Sequence, residues 1–205
     1  MCGRYYIDNE DEIIEMREII QEVNERYKDT VELASMKTGE IFPTETVPII
    51  TADGNNKKAE IMTWGFPRWN APGVIINARA ETALDKPMFK KAIESRRCLV
   101  PTNGFFEWKH EKGKSTKEKY LLKLTDEPML YLAGIYNTYI KDDGTPYNGF
   151  VILTTEANES VKPIHNRMPV ILTGGKNDLW LFDEKISPML IENNFDIVLY
   201  SMKTA

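Results

Sequence analysis

Between Cys98 and Thr154 the chain runs strand after strand. Cys98–Val100, Gly104–Lys109, Lys119–Leu124, Met129–Tyr136 and Phe150–Thr154 are apolar or alternating runs separated by turn-forming residues. Lys112-Gly113-Lys114-Ser115 and Asp142-Asp143-Gly144 read as hairpin turns, and strands joined so closely pair antiparallel. Three shorter strands precede them, at 47–52, 59–66 and 73–77, broken by Asp53-Gly54-Asn55-Asn56 and by the proline-rich turn Phe66–Gly73. Ile197–Ser201 supplies a last strand. A first helix, capped by Asp8 or Asn9, places Ile13, Ile14, Met16, Ile19, Ile20 and Val23 at helical spacing. Further helices are expected at 88–94, 158–163, 175–182 and 187–193. With no repeat, low-complexity tract or linker, the expectation is an α+β fold: one compact domain over 1–205, with a curved, mainly antiparallel, barrel-like sheet flanked by helices.

Composition narrows the function. The 205 residues are 42% hydrophobic and 28% charged, ordinary for a single globular domain. No apolar run reaches the roughly 20 residues that span a bilayer, and the first residues lack the apolar core of a signal peptide, so a cytoplasmic protein is expected. Two cysteines, Cys2 and Cys98, and two histidines, His110 and His165, offer no structural-zinc spacing. Neither a metal nor a cofactor is expected. A net charge of −5 argues against coating a polyanion by overall charge. Basic residues nevertheless gather in the middle of the chain, at Arg68, Arg79, Lys86, Lys90, Lys91, Arg96, Arg97 and Lys109, where most read as solvated surface charge.

Four positions carry reactive chemistry in suggestive company. Cys2 precedes Gly3, so removal of Met1 leaves an amino terminus that presents an amine and a thiol on one residue. Ordinary pKa values near ~8 and ~8.5 give both groups a usable deprotonated fraction at neutral pH. An aldehyde meeting this pair forms a Schiff base and then a five-membered thiazolidine. The plainer reading makes Cys2 a small buried residue at the start of a strand. Asn77, Arg79 and Glu81, if extended, share one face, giving an amide, a cation and a carboxylate side by side; the alternative is an Arg79–Glu81 surface pair at a helix start. Glu107 sits among Phe105, Phe106 and Trp108, where burial would raise its pKa toward that of a general acid/base; alternation alone also permits a solvent-facing Glu107. His165 stands in a loop between Pro163 and Pro169, placed for proton transfer, although lone histidines are more often structural. Of the aromatic candidates for stacking on bases, Trp64 and Trp108 fit a core, while Trp69, between Arg68 and Asn70 in a turn, fits a base contact.

Five segments, Met1-Cys2-Gly3-Arg4-Tyr5, Trp64-Gly65-Phe66, Asn77-Ala78-Arg79-Ala80-Glu81-Thr82, Pro101–Trp108 and His165-Asn166-Arg167-Met168-Pro169, resemble in order the SRAP (SOS response-associated peptidase) family, from the first residue to about Leu172. The resemblance implies a single-domain α+β fold and a protein that senses abasic sites in single-stranded DNA and crosslinks to them. It implies Cys2 as nucleophile, Asn77 positioning the ring-opened sugar, Glu107 as acid/base, and His165 assisting ring opening and crosslink reversal. Arg4 and Arg79 resemble phosphate contacts and Trp69 a base-stacking wedge flanked by Arg68, favouring single-strand/duplex junctions. Lys86 stands one step before Pro87, where many relatives carry a basic residue. The expected partner is single-stranded DNA, with no membrane, bound by a monomer that in a prokaryote associates with the nucleoid. The other activity weighed is a peptidase or amidase of the N-terminal-nucleophile type, using Cys2 with His165. A third reading is a noncatalytic binding module.

Overall fold

A computed structural model describes residues 2–8, 13–110, 116–141, 143–183, 185 and 197–204. Strand β1 (Arg4–Ile7) leads to helices α1 (Ile14–Arg26) and α2 (Val31–Ser35). Strands β2 (Gly39–Ile41), β3 (Thr46–Asp53), β4 (Asn56–Trp64), β5 (Phe66–Pro67), β6 (Val74–Ile75) and β7 (Asn77–Arg79) follow. Helices α3 (Ala80–Ala83) and α4 (Pro87–Ser95) precede β8 (Arg97–Thr102), β9 (Gly104–His110), β10 (Lys117–Leu124), β11 (Leu130–Ile140), β12 (Pro146–Glu156), β13 (Arg167–Pro169) and β14 (Ile171–Leu172). Helix α5 (Lys176–Phe182) and strand β15 (Leu199–Lys203) complete the order.

Five strands close on themselves. β3 pairs with β4 and β8, β8 with β11, β11 with β12, and β12 returns to β4. Closure removes free edges from this barrel. A second sheet, ordered β15-β10-β9-β1-β2, lies beside it. The chain crosses from one sheet to the other at Thr102-Asn103. There the Asn103 N–H and the Thr102 hydroxyl both donate to the Tyr6 carbonyl, at 2.8 and 2.7 Å, and Asn103 Oδ1 accepts from the Asp8 N–H. A side chain at Gly104 would meet the Leu122 carbonyl at 2.7 Å, so this corner requires glycine.

The expected α+β, barrel-like fold is thus present, with local departures. Pairing is antiparallel except where β12 runs parallel to β4 and β7. The expected strand 59–66 breaks at Gly65, whose φ of +130° and N–H bond to the Phe150 carbonyl turn the chain into β5. Asp8 does not cap α1: its N–H belongs to Asn103, and the helix starts after Ile13 with no side-chain cap. Asn9, the Lys112–Ser115 turn, Asp142 and the helix expected at 187–193 lie outside the described residues. In place of a helix at 158–163 there are tight turns. The Asn158 side chain accepts from the Ser160 and Val161 N–H groups, and Pro163 cannot continue a helix.

Arg97, counted among surface charges, is a buried staple instead. Its guanidinium donates to the Ile93 and Glu94 carbonyls at the end of α4 and to the Trp180 and Leu181 carbonyls of α5. One side chain therefore satisfies the open C-terminal carbonyls of two helices and ties both to β8.

Candidate functional site

The site is assembled around β12. Asn77 in β7 lies beside Ile152 on one flank of β12, and β13 pairs with Thr154–Glu156 on the other, placing His165 just before it. From the second sheet, β1 brings Cys2 and β9 brings Glu107, in a register that pairs Arg4 with Phe106. Cys2 is completely buried, and Asn77 Nδ2 donates to its carbonyl at 2.9 Å. Asn77 Oδ1 is also buried and has no hydrogen-bond partner among the described residues. Glu107 is 2% exposed, on the core face with Tyr5 and Phe105, which excludes the solvent-facing alternative.

Electrostatics link the four groups. Burial, and then the nearby Glu107 charge, push the Cys2 thiol well above its ordinary range. The expectation of a readily ionised thiol is corrected: desolvation disfavours the thiolate. Burial also raises the Glu107 carboxyl, against the pull of the positive amino terminus and the Trp108 N–H. His165 is lowered by burial and then by that same amino-terminal charge. Among the described residues no group of three His, Cys, Asp or Glu side chains is arranged to hold a metal. Both cysteines are free thiols.

The basic and aromatic candidates differ in how they are held. Trp69 is 91% exposed at the tip of the β5–β6 ribbon, next to exposed Arg68 and to Asn70, whose φ is +55°. Arg79 and Lys86 are exposed. Arg4 is braced: it pairs with Glu40 at 2.9 Å and its guanidinium lies over the Phe42 and Trp108 rings, at 4.3 and 5.0 Å. Trp64, as expected, is core, packed between Tyr5 and Phe150.

The stretch 77–82 is extended only through Arg79; α3 begins at Ala80, with Arg79 at its N-cap position. Asn77, Arg79 and Glu81 therefore do not share a face. Nor does Glu81 pair with Arg79: its two carboxylate oxygens accept from Arg167, at 2.6 and 3.0 Å. Arg167, to which the sequence gave no role, also donates to the Thr154 carbonyl at 2.6 Å, and its N–H lies 3.0 Å from His165 Nδ1. Its signal was the His-x-Arg spacing, which puts an arginine main chain within reach of the imidazole two residues earlier.

A closed barrel with an adjoining sheet, gathering its own second residue, an amide, a buried carboxylate and an imidazole at one place, defines a class of single-domain proteins built around the amino terminus. The family model of the SOS response associated peptidase (SRAP) matches residues 1–197, and the chain belongs to that family. Abasic site processing protein YoqW of Bacillus subtilis is 35% identical over 200 residues, covering 94% of this chain and 85% of its own length. Abasic site processing protein YedK of Escherichia coli is 29% identical over 145 residues, covering 70% of this chain and 64% of its own. A solved protein from Bacteroides thetaiotaomicron, 25% identical, superposes with a TM-score of 0.74 over 98% of this chain and 92% of that one. One from Bordetella bronchiseptica shares the fold at 17% identity, with a TM-score of 0.75 over the whole of both chains. Among the described residues no helix is long and apolar enough to cross a membrane.

Proposed function

We propose that this chain recognises an abasic site in single-stranded DNA and bonds to it through the amine and thiol of Cys2 once Met1 is removed. The observation that carries this reading is the convergence on residue 2. Asn77 holds its carbonyl, Glu107 acts on its thiol by charge, and Glu107 and His165 both feel the amino-terminal charge. The names of the relatives, abasic site processing proteins, support it.

The chemistry follows in balanced steps. An abasic sugar exists mainly ring-closed, and His165, held neutral by its lowered pKa, moves a proton between the sugar hydroxyl and the ring oxygen to open it. The Cys2 amine attacks the aldehyde carbon, forming a C–N bond, and the carbonyl oxygen leaves as water with a proton from Glu107. The sulfur then adds to the same carbon and the thiol proton returns to Glu107. Aldehyde plus amino-thiol gives thiazolidine plus one water. A thiol kept neutral suits this order, because the ring closure is intramolecular and needs little thiolate. The Schiff-base stage is also the branch point for a slow lyase reaction and for reversal of the crosslink.

Asn77 Oδ1, buried and unpartnered among the described residues, is placed to accept from the opened sugar's hydroxyl. Arg4, Arg68, Arg79 and Lys86 hold phosphates, and Trp69 stacks on a base where single strand meets duplex. The protein acts as a monomer in the cytoplasm.

The test is a denaturing gel of the mature chain incubated with a labelled oligonucleotide carrying one abasic site. A heat-stable, slow-migrating band is expected, absent in Cys2→Ala and absent with a tetrahydrofuran analogue that has no aldehyde. A band of equal strength with the analogue, or none with the true site, overturns the reading.

A further inference from the structure

His165 Nδ1 lies between two main-chain groups of one residue, 3.0 Å from the Arg167 N–H and 3.2 Å from the Arg167 carbonyl. The first fits a ring with the proton on Nε2, because Nδ1 then accepts. The second fits a ring with Nδ1 protonated, which leaves Nε2 free to accept. The same two atoms therefore serve either tautomer without movement of the ring.

Arg167 is itself fixed with unusual completeness. Its side chain is 13% exposed, forks onto both oxygens of Glu81, and sends a further bond to the Thr154 carbonyl. Glu81 lies in α3, four residues after Asn77, and Thr154 is the β12 residue paired with Arg79 on one side and Pro169 on the other. The ion pair thus spans β12 and joins the segment that carries Asn77 to the loop that carries His165.

We infer that Arg167, clamped by Glu81 and Thr154, is the positioning residue for His165, and that its N–H and carbonyl together let the imidazole present Nε2 to the site as either donor or acceptor. Resting on the abasic-site reading, this explains how one histidine donates a proton in one direction of the reaction and accepts one in the other. The groups that act on His165 by charge are the amino terminus, His110 and Arg167, all of which disfavour its cation. Glu81 offsets the Arg167 charge, so removing the Glu81 charge disfavours that cation further.

With two histidines in the chain, a His110→Gln background leaves one imidazole to observe by NMR. In uniformly 15N-labelled protein without DNA, the His165 nitrogen shifts report tautomer and titration midpoint directly. Glu81→Gln is expected to lower the midpoint and change the Nδ1/Nε2 shift difference. Arg167→Lys, which keeps the charge and loses the fork, is expected to change the shift difference more than the midpoint. With DNA, each variant slows adduct formation by on the order of ten- to a hundredfold, the scale of a misplaced catalytic group. The backbone spectrum shows that the variants fold. Unchanged His165 shifts and midpoint in both variants overturn the clamp. Altered shifts in a protein that forms no adduct at all uphold the clamp and sink the abasic-site reading instead.

Discussion

Asn77 Nδ2 donates a 2.9 Å hydrogen bond to the Cys2 carbonyl, joining residues 75 positions apart and fixing the backbone that carries both proposed nucleophiles. Asn77→Ala removes that tether and the Oδ1 atom proposed to meet the sugar. Adduct formation is expected to slow by about a hundredfold, as misplacement of a reacting group implies. Affinity for undamaged single-stranded DNA, read by fluorescence anisotropy, should stay within about threefold, since no phosphate contact is lost.

Glu107 makes a prediction with a definite sign. Its folded pKa is raised, mainly by burial, so the folded state holds the proton more tightly than the unfolded one. The associated stability is fully present below the ordinary carboxylate pKa and is lost as pH rises through the folded value. Glu107→Gln removes that dependence. Melting temperatures of the variant minus those of the parent should increase as pH rises through this window, while adduct formation falls by about a hundredfold or more. A difference that decreases over the same window contradicts the assignment.

Trp69 separates binding from stability. At 91% exposure it supports little of the fold, so Trp69→Ala should change the unfolding free energy by no more than about 0.5 kcal/mol. Affinity for a single-strand/duplex junction should weaken by roughly 1–3 kcal/mol, the worth of one stacked base. Chemical denaturation and a binding isotherm on the same sample decide it.

Arg97 predicts the reverse. Arg97→Met leaves buried helix-end carbonyls of α4 and α5 without their donor. A loss of roughly 1–3 kcal/mol of stability is expected from that desolvation alone. The readout is the urea unfolding midpoint.

Much of this fold is legible in sequence because strand alternation and turn residues are local signals. The run from Cys98 to Thr154 announces β8 to β12, and a carboxylate among Phe105, Phe106 and Trp108 announces a buried Glu107. Barrel closure is not local: β12 meets β4 and β7 in parallel across long separations, and nothing within either segment encodes its partner. Ala80–Ala83 is too short to display a helical period, which is why Glu81 reads as extended. Arg97 and Arg167 read as surface charge because their burial depends on carbonyls and a carboxylate supplied by other elements. The Cys2 thiol reads as reactive because the sequence shows its neighbours in the chain, not the enclosure that disfavours its ionised form.

The central claim is that Cys2 closes a thiazolidine with an abasic-site aldehyde, and intact-mass spectrometry of the mature chain with an abasic oligonucleotide tests it most directly. The account predicts a chain lacking Met1 and, without any reductant, a heat-stable adduct weighing protein plus DNA minus one water. Cys2→Ser, which keeps the amine, should yield an adduct only when a reductant traps the Schiff base. An unreduced, heat-stable adduct of the same kind in Cys2→Ser, or a processed wild-type chain that remains unmodified, would contradict it.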